Sequence, residues 1–244
     1  MEINGLRGNG ARYNRWGESV NPATNWGIQK NKFTDYRRSF GRAAYTLADR
    51  KLFKLATEGK RAVILDLLSE TAALRDIKNN IFYSGTIEGI AVGLSDKRPP
   101  YELTMDCNWG ITHITGDLRH PTVLRQVKEQ IGNEKFDLII QRGWGALPKL
   151  PLNKIYYGAV FNWLFDNLSP EEGVMVVQTP ETAALNYINI NMQAVVIPKL
   201  VQAGHGAWYE PDPTFSTEPL LNLGCFWLVK NNETNPFLQG NEQT

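Results

Sequence analysis

Four stretches of the chain are largely apolar, Ala62–Leu68, Thr86–Leu94, Phe136–Gln141 and Val174–Gln178, and the shorter, more mixed Ile111–Thr115 reads with them as a fifth strand. Short continuous runs of this kind predict strands buried on both faces of a sheet. Elsewhere the apolar spacing changes to three and four. From Asp35 to about Thr57 it places Tyr36, Phe40, Ala43, Ala44, Leu47 and Leu55 on one helical face, with Arg38, Arg42 and Asp49 opposite, and Gly59 ends the helix. Helices are also predicted over Ala72–Ile77, Pro121–Ile131, Leu152–Leu168 and Thr182–Ala203. Pro99-Pro100 opens a long connection over residues 99–110. Two late apolar runs, His205–Glu210 and Leu221–Lys230, have no long helix between them and read as an antiparallel hairpin.

Strands alternating with helices and closing on a hairpin predict a three-layer α/β sandwich. The expected sheet is seven-stranded and mostly parallel, in the order 3-2-1-4-5-7-6, with only the seventh strand antiparallel. The chain divides into an N-terminal arm (1–34), a covering helix (35–59), the α/β domain (60–230) and a polar tail (231–244).

Charge changes this picture more than composition does. Residues 1–61 hold 13 Lys and Arg against 5 Asp and Glu, a net +8, and the remainder carries 13 against 20, a net −7. A basic N-terminal part beside an acidic body implies internal docking or an acidic partner such as nucleic acid. In the arm, Arg7, Arg12 and Arg15 are interspersed with Tyr13 and Trp16. Such a segment either wraps its own domain with the rings as anchors or offers stacking rings to bases. Cys107 and Cys225 are too few for a disulfide framework and lack zinc spacing. No apolar run reaches membrane-spanning length and the N-terminus has no signal-peptide core, so a cytoplasmic protein without membrane partners is expected.

Candidate chemistry gathers where strands end. In KRAVILDLLSET (60–71), Asp66 lies late in the first strand and, being buried, needs a partner. Asp96 ends the second strand and Asp117 follows the third. In an open parallel sheet all three fall along the carboxyl edge, where ligands bind. A carboxylate after the second strand is placed to accept two ribose hydroxyls, and one after the third to receive an adenine amino group. The plainer reading is that each Asp caps the turn that follows it. After the fourth strand, Gln141-Arg142-Gly143-Trp144-Gly145 is either a substrate shelf or a Trp packed over a glycine turn.

As a set, ILDLLSETA, VGLSD, ITGDL, FDLII and LSPEEGVMVVQTP, followed by the hairpin, resemble class I S-adenosylmethionine-dependent methyltransferases over about residues 60–230. The resemblance implies S-adenosylmethionine as cofactor, with Asp66, Ser69 and Thr71 beside it in the first strand and loop. It implies Asp96 on the ribose hydroxyls and Asp117-Leu118 around the adenine. It implies Gln141 at the methyl-transfer end, with Arg142 and Trp144 toward an acceptor that the sequence does not name. The chain departs from the family in the first loop: Ser69-Glu70-Thr71-Ala72 stands where glycines are usual, and every residue carries a Cβ. This loop either crowds the cofactor or moves outward, with Ser69 or Thr71 capping the next helix. The alternative function is a catalytically inactive, methyltransferase-like module that binds a protein or nucleic acid through the basic part. No G-x-G-x-x-G, Walker loop, H-E-x-x-H or G-x-S-x-G is present, which removes the commonest nicotinamide, nucleotide, zinc and hydrolase signatures.

Overall fold

The computed structural model describes residues 32–82, 84–93, 96–116, 118, 120–141, 154–181, 192–211 and 222–237. Seven strands form one sheet: β1 (Ala62–Leu67), β2 (Ile87–Gly93), β3 (Ile111–Thr115), β4 (Leu138–Gln141), β5 (Gly173–Glu181), β6 (Gly206–Pro211) and β7 (Asn222–Lys230). Their order is β3-β2-β1-β4-β5-β7-β6. The first five pair in parallel, and β7 runs antiparallel to both β5 and β6. Leu67 stands beside Gln141, and Gln141 beside Val177, so β1 and β4 end level with one another while β5 runs on to Glu181.

All six β1 residues are buried, which explains why the strand is apolar at every position but Asp66. Side chains alternate across the sheet. Val63, Leu65 and Leu67 join one core with α4 (Pro121–Ile131), α5 (Lys154–Asn167) and α6 (Ile197–Gln202). Ala62 and Ile64 join the other with α1 (Tyr36–Thr57) and α2 (Ala72–Asn80). Lys230 is wholly buried at the end of β7, where its Nζ donates to the carbonyls of Phe165 (3.1 Å) and Leu168 (3.0 Å) and pairs with Glu233 (2.8 Å). It thereby satisfies carbonyls at the end of α5.

Several expectations are corrected. Residues 99–110 are not a plain connection, since α3 (Pro100–Asn108) fills most of them. Pro100 sits at the first helical position, where its missing N–H costs nothing. Helix α1 is broken at Gly41 (φ 74°, ψ 171°), and Ala43 is exposed; the buried row is Tyr36, Phe40, Ala44, Ala48, Leu52 and Leu55. The expected helix over Thr182–Ala203 is described only in its last part, a π turn at Met192–Val196 running into α6. The start of the polar tail is tied down: Asn231 and Asn232 donate to the carbonyls of Gly204 and Ala203, and Phe237 stacks edge-on with Phe161.

Candidate functional site: the carboxyl edge of the sheet

Two devices hold the end of β1. The Phe33–Asp35 turn delivers Tyr36, whose hydroxyl donates to Asp66 Oδ2 at 3.2 Å, so the buried carboxylate has a partner from the covering helix. The chain then reverses at Leu68, which adopts φ 65°. Leu68 takes the left-handed conformation that glycine usually supplies. Its amide and that of Ser69 both donate to the Val92 carbonyl on β2, at 2.6 and 3.2 Å. The loop therefore lies down on β2 rather than swinging outward, and Ser69, Glu70 and Thr71 are all buried. The fit depends on Gly93, where a Cβ would stand 3.0 Å from the Ser69 carbonyl oxygen.

Neither hydroxyl caps α2, contrary to expectation; Ser69 Oγ donates to the Glu70 carbonyl at 2.7 Å. Thr71 Oγ1 donates instead to Asp106 Oδ2 on α3, at 2.5 Å. Asp106 is 1% exposed and is the hub of a buried network. Arg98 Nη1 reaches Asp106 Oδ2 at 2.7 Å, and Arg75 Nη1 reaches both of its oxygens at 3.3 Å. Arg75 also pairs with Glu102 at 2.8 Å.

Asp96, the expected ribose acceptor, is already engaged. Arg98 Nε donates to Oδ1 (2.8 Å) and Nη2 to Oδ2 (2.7 Å), a two-pronged pair, and the Arg98 amide also donates to Oδ1 at 3.1 Å. The plainer turn-capping role is thus realised here. The Arg98 hydrogen bonds hold the Asp96 carboxyl down to about 2, well below the ordinary carboxylate range, although its partial burial acts the other way. His113, in β3, lies 3.8 Å from Asp96, and burial pushes its imidazole below the ordinary value against the attraction of that carboxylate.

Gln141 closes β4 at the same edge. It is wholly buried, and neither its Oε1 nor its Nε2 has a hydrogen-bond partner. A primary amide buried in this way leaves two donors and an acceptor unsatisfied. Leu118 is buried in the α4–α5 core. Asp66, Ser69, Thr71, Asp96 and Gln141 thus share the carboxyl edge, whereas Asp117, Arg142 and Trp144 lie outside the described residues. Arg75, Arg98 and Asp106 were missed from the sequence. Glu102 and Asp106, four residues apart, were a legible helix-face signal that the double proline masked.

No protein-family model matches the chain, and no curated protein matches it in sequence. Three of the solved structures similar to it illustrate the likeness. One is the plantazolicin methyltransferase BpumL in complex with S-adenosylhomocysteine: 11% identity, 86% of this chain and 89% of that one, TM-score 0.49. Another is the 1,6-didemethyltoxoflavin-N1-methyltransferase of Burkholderia thailandensis, with its substrate and S-adenosylhomocysteine bound: 17% identity, 82% and 87%, TM-score 0.41. A third is the N-methyltransferase NodS of Bradyrhizobium japonicum: 10% identity, 75% and 94%, TM-score 0.43. At these levels the backbone topology itself carries the assignment. With its 3-2-1-4-5-7-6 sheet, a single antiparallel seventh strand and helices on both faces, the chain has the class I methyltransferase fold.

Proposed function

We propose that the carboxyl edge is an S-adenosylmethionine site and that the protein transfers the methyl group to an acceptor at the end of β4. The observation that carries this reading is Gln141, a wholly buried amide with no partner, at the strand end where the resemblance puts methyl transfer. A bound ligand would satisfy that amide, and the cofactor would supply an activated methyl group.

The first loop fits a ligand of this kind. Leu68 replaces a glycine's conformation, and Gly93 leaves the close approach to β2 open. Thr71 is then positioned by Asp106, and Ser69 by its bonds to Glu70 and Val92, rather than by helix capping. Asp96 holds the ribose hydroxyls only by exchanging part of its pairing with Arg98. That exchange is feasible because Arg98 keeps Asp106. It also lowers affinity, since hydrogen bonds to a charged group, each about 1.5–3 kcal/mol, are given up before new ones form. Asp66, Leu118 and Asp117 complete the cofactor side of the proposal, with Arg142 and Trp144 on the acceptor side.

Calorimetry with S-adenosylmethionine and S-adenosylhomocysteine tests the reading. Heat of binding is expected with both, and Asp96→Ala should weaken it by about 1–3 kcal/mol. Absence of heat from either compound at millimolar concentration would reject the cofactor site.

A further inference from the structure

A second site lies away from the carboxyl-edge residues, between α1 and the C-terminal hairpin. Helix α1 packs chiefly on β5 and β7, and β6 forms the outer edge of the sheet. A groove of about 520 Å³ remains, walled by Arg42, Thr46, Leu47 and Arg50 of α1 and floored by Glu210 and Trp227 of the hairpin. Trp208 stands directly across from Trp227 in the antiparallel pair, so the two indoles share one face of the sheet. Trp208 is 59% exposed.

Two polar atoms in this groove are unsatisfied. Glu210 Oε2 and Trp227 Nε1 are both buried and without hydrogen-bond partners. The break in α1 at Gly41 lies against this carboxylate, where a Cβ would make ordinary contact at 3.5 Å from Glu210 Oε2. Along the wall, Arg42, Thr46 and Arg50 follow at intervals of four, on one helical face. Their backbone positions, Arg42 and Arg50, therefore lie about 12 Å apart along the axis, at about 1.5 Å per residue. Both arginines are exposed, and neither forms an ion pair among the described residues.

We propose that this groove binds single-stranded nucleic acid. The chemistry of each part matches one part of a strand. Two unpaired arginines spaced by more than one nucleotide suit two phosphates of one strand, and the exposed Trp208 indole suits a stacked base. A base edge with an exocyclic amino group donates to the Glu210 carboxylate, while its adjacent ring acceptor receives the Trp227 N–H. Adenine and cytosine present that combination, and uracil does not. On its α1 side the groove belongs to residues 1–61, the basic N-terminal part of the chain, which supplies the complementary charge. A mononucleotide shares the base and phosphate chemistry, but it would leave one arginine and the exposed Trp208 unused.

Fluorescence anisotropy of 5′-labelled oligo(A) and oligo(U) decamers, without cofactor, tests the groove independently of methyl transfer. Saturable binding at low salt is expected, with oligo(A) preferred. The double variant Arg42→Ala/Arg50→Ala should weaken binding at least about tenfold. It should also reduce the slope of log affinity against log salt by about 1.4, from about 0.7 per phosphate on a single strand. Trp208→Ala should weaken binding without changing that slope, and Glu210→Gln should reduce the preference for oligo(A). Both arginines are exposed, so an unchanged circular dichroism spectrum is expected to show the double variant folded; Arg42→Gln/Arg50→Gln provides the same test if it is not. Absence of saturable binding would overturn the proposal. So would unweakened binding in the arginine variants, or competition by adenosine monophosphate as effective as that of an unlabelled decamer.

Discussion

Removing the Asp106 carboxylate tests the network that shapes the first loop. In Asp106→Ala, Thr71 loses its acceptor, and Arg98 and Arg75 each lose one partner. The side chains concerned are 1% (Asp106), 7% (Arg98) and 14% (Arg75) exposed, so water replaces little of what is lost. Breaking a buried ion pair costs about 3–5 kcal/mol. The lower end applies here, because Arg98 keeps its two-pronged pair with Asp96 and Arg75 keeps Glu102. Neither cation is left alone, and about 3 kcal/mol is the expected loss. For a chain of this size that corresponds to about 6–12 °C in melting temperature. Urea unfolding followed by circular dichroism measures it. Thr71→Val, which removes one hydrogen bond to the same carboxylate, should lose less, about 1.5 kcal/mol. Because the network is buried, the loss should persist at high salt. A loss under about 1 kcal/mol, or one that disappears in salt, would refute the claim that Asp106 fastens the loop.

Three further outcomes follow from other parts of the structure. Lys230→Met should lower stability by about 2–3 kcal/mol in thermal unfolding, because the Leu168 carbonyl loses its buried donor. Gly173→Ala should cost at least about 1–3 kcal/mol, since a Cβ there would lie 2.4 Å from the Ser169 carbonyl oxygen, and a melting temperature equal to wild type would contradict the geometry. Asp96 has a carboxyl held down to about 2, so its contribution is complete above the ordinary carboxylate value near 4 and is lost as pH falls through about 2. In urea titrations, Asp96→Asn should therefore be less stable than wild type at pH 6, and the difference should shrink on acidification through that window.

The order of the sheet was legible from the sequence because burial on both faces leaves a mostly apolar run, as in Ala62–Leu67 where only Asp66 interrupts it, and because a hairpin needs no crossover helix. The placement of Asp66, Asp96 and Gln141 at one edge followed from the same reasoning, since parallel strands point their carboxyl ends one way. The partners of those residues depend on contacts between segments far apart in the chain. Tyr36 reaches Asp66 across 30 residues, and Thr71 reaches Asp106 across 35. Local patterns carry no record of such pairs. Thr71 before α2 resembles a helix cap in sequence, but its hydroxyl is turned to donate to the buried carboxylate on α3 instead of accepting from an amide of α2. Leu68 has no local sign of a left-handed turn; its conformation is held by the two hydrogen bonds that the loop makes to Val92 on β2. The groove beneath Arg42 and Arg50 was equally invisible, because it exists only where α1 stops short of an edge strand some 160 residues later in the chain. Periodicity reports which face of an element is buried, and tertiary packing decides what that face meets.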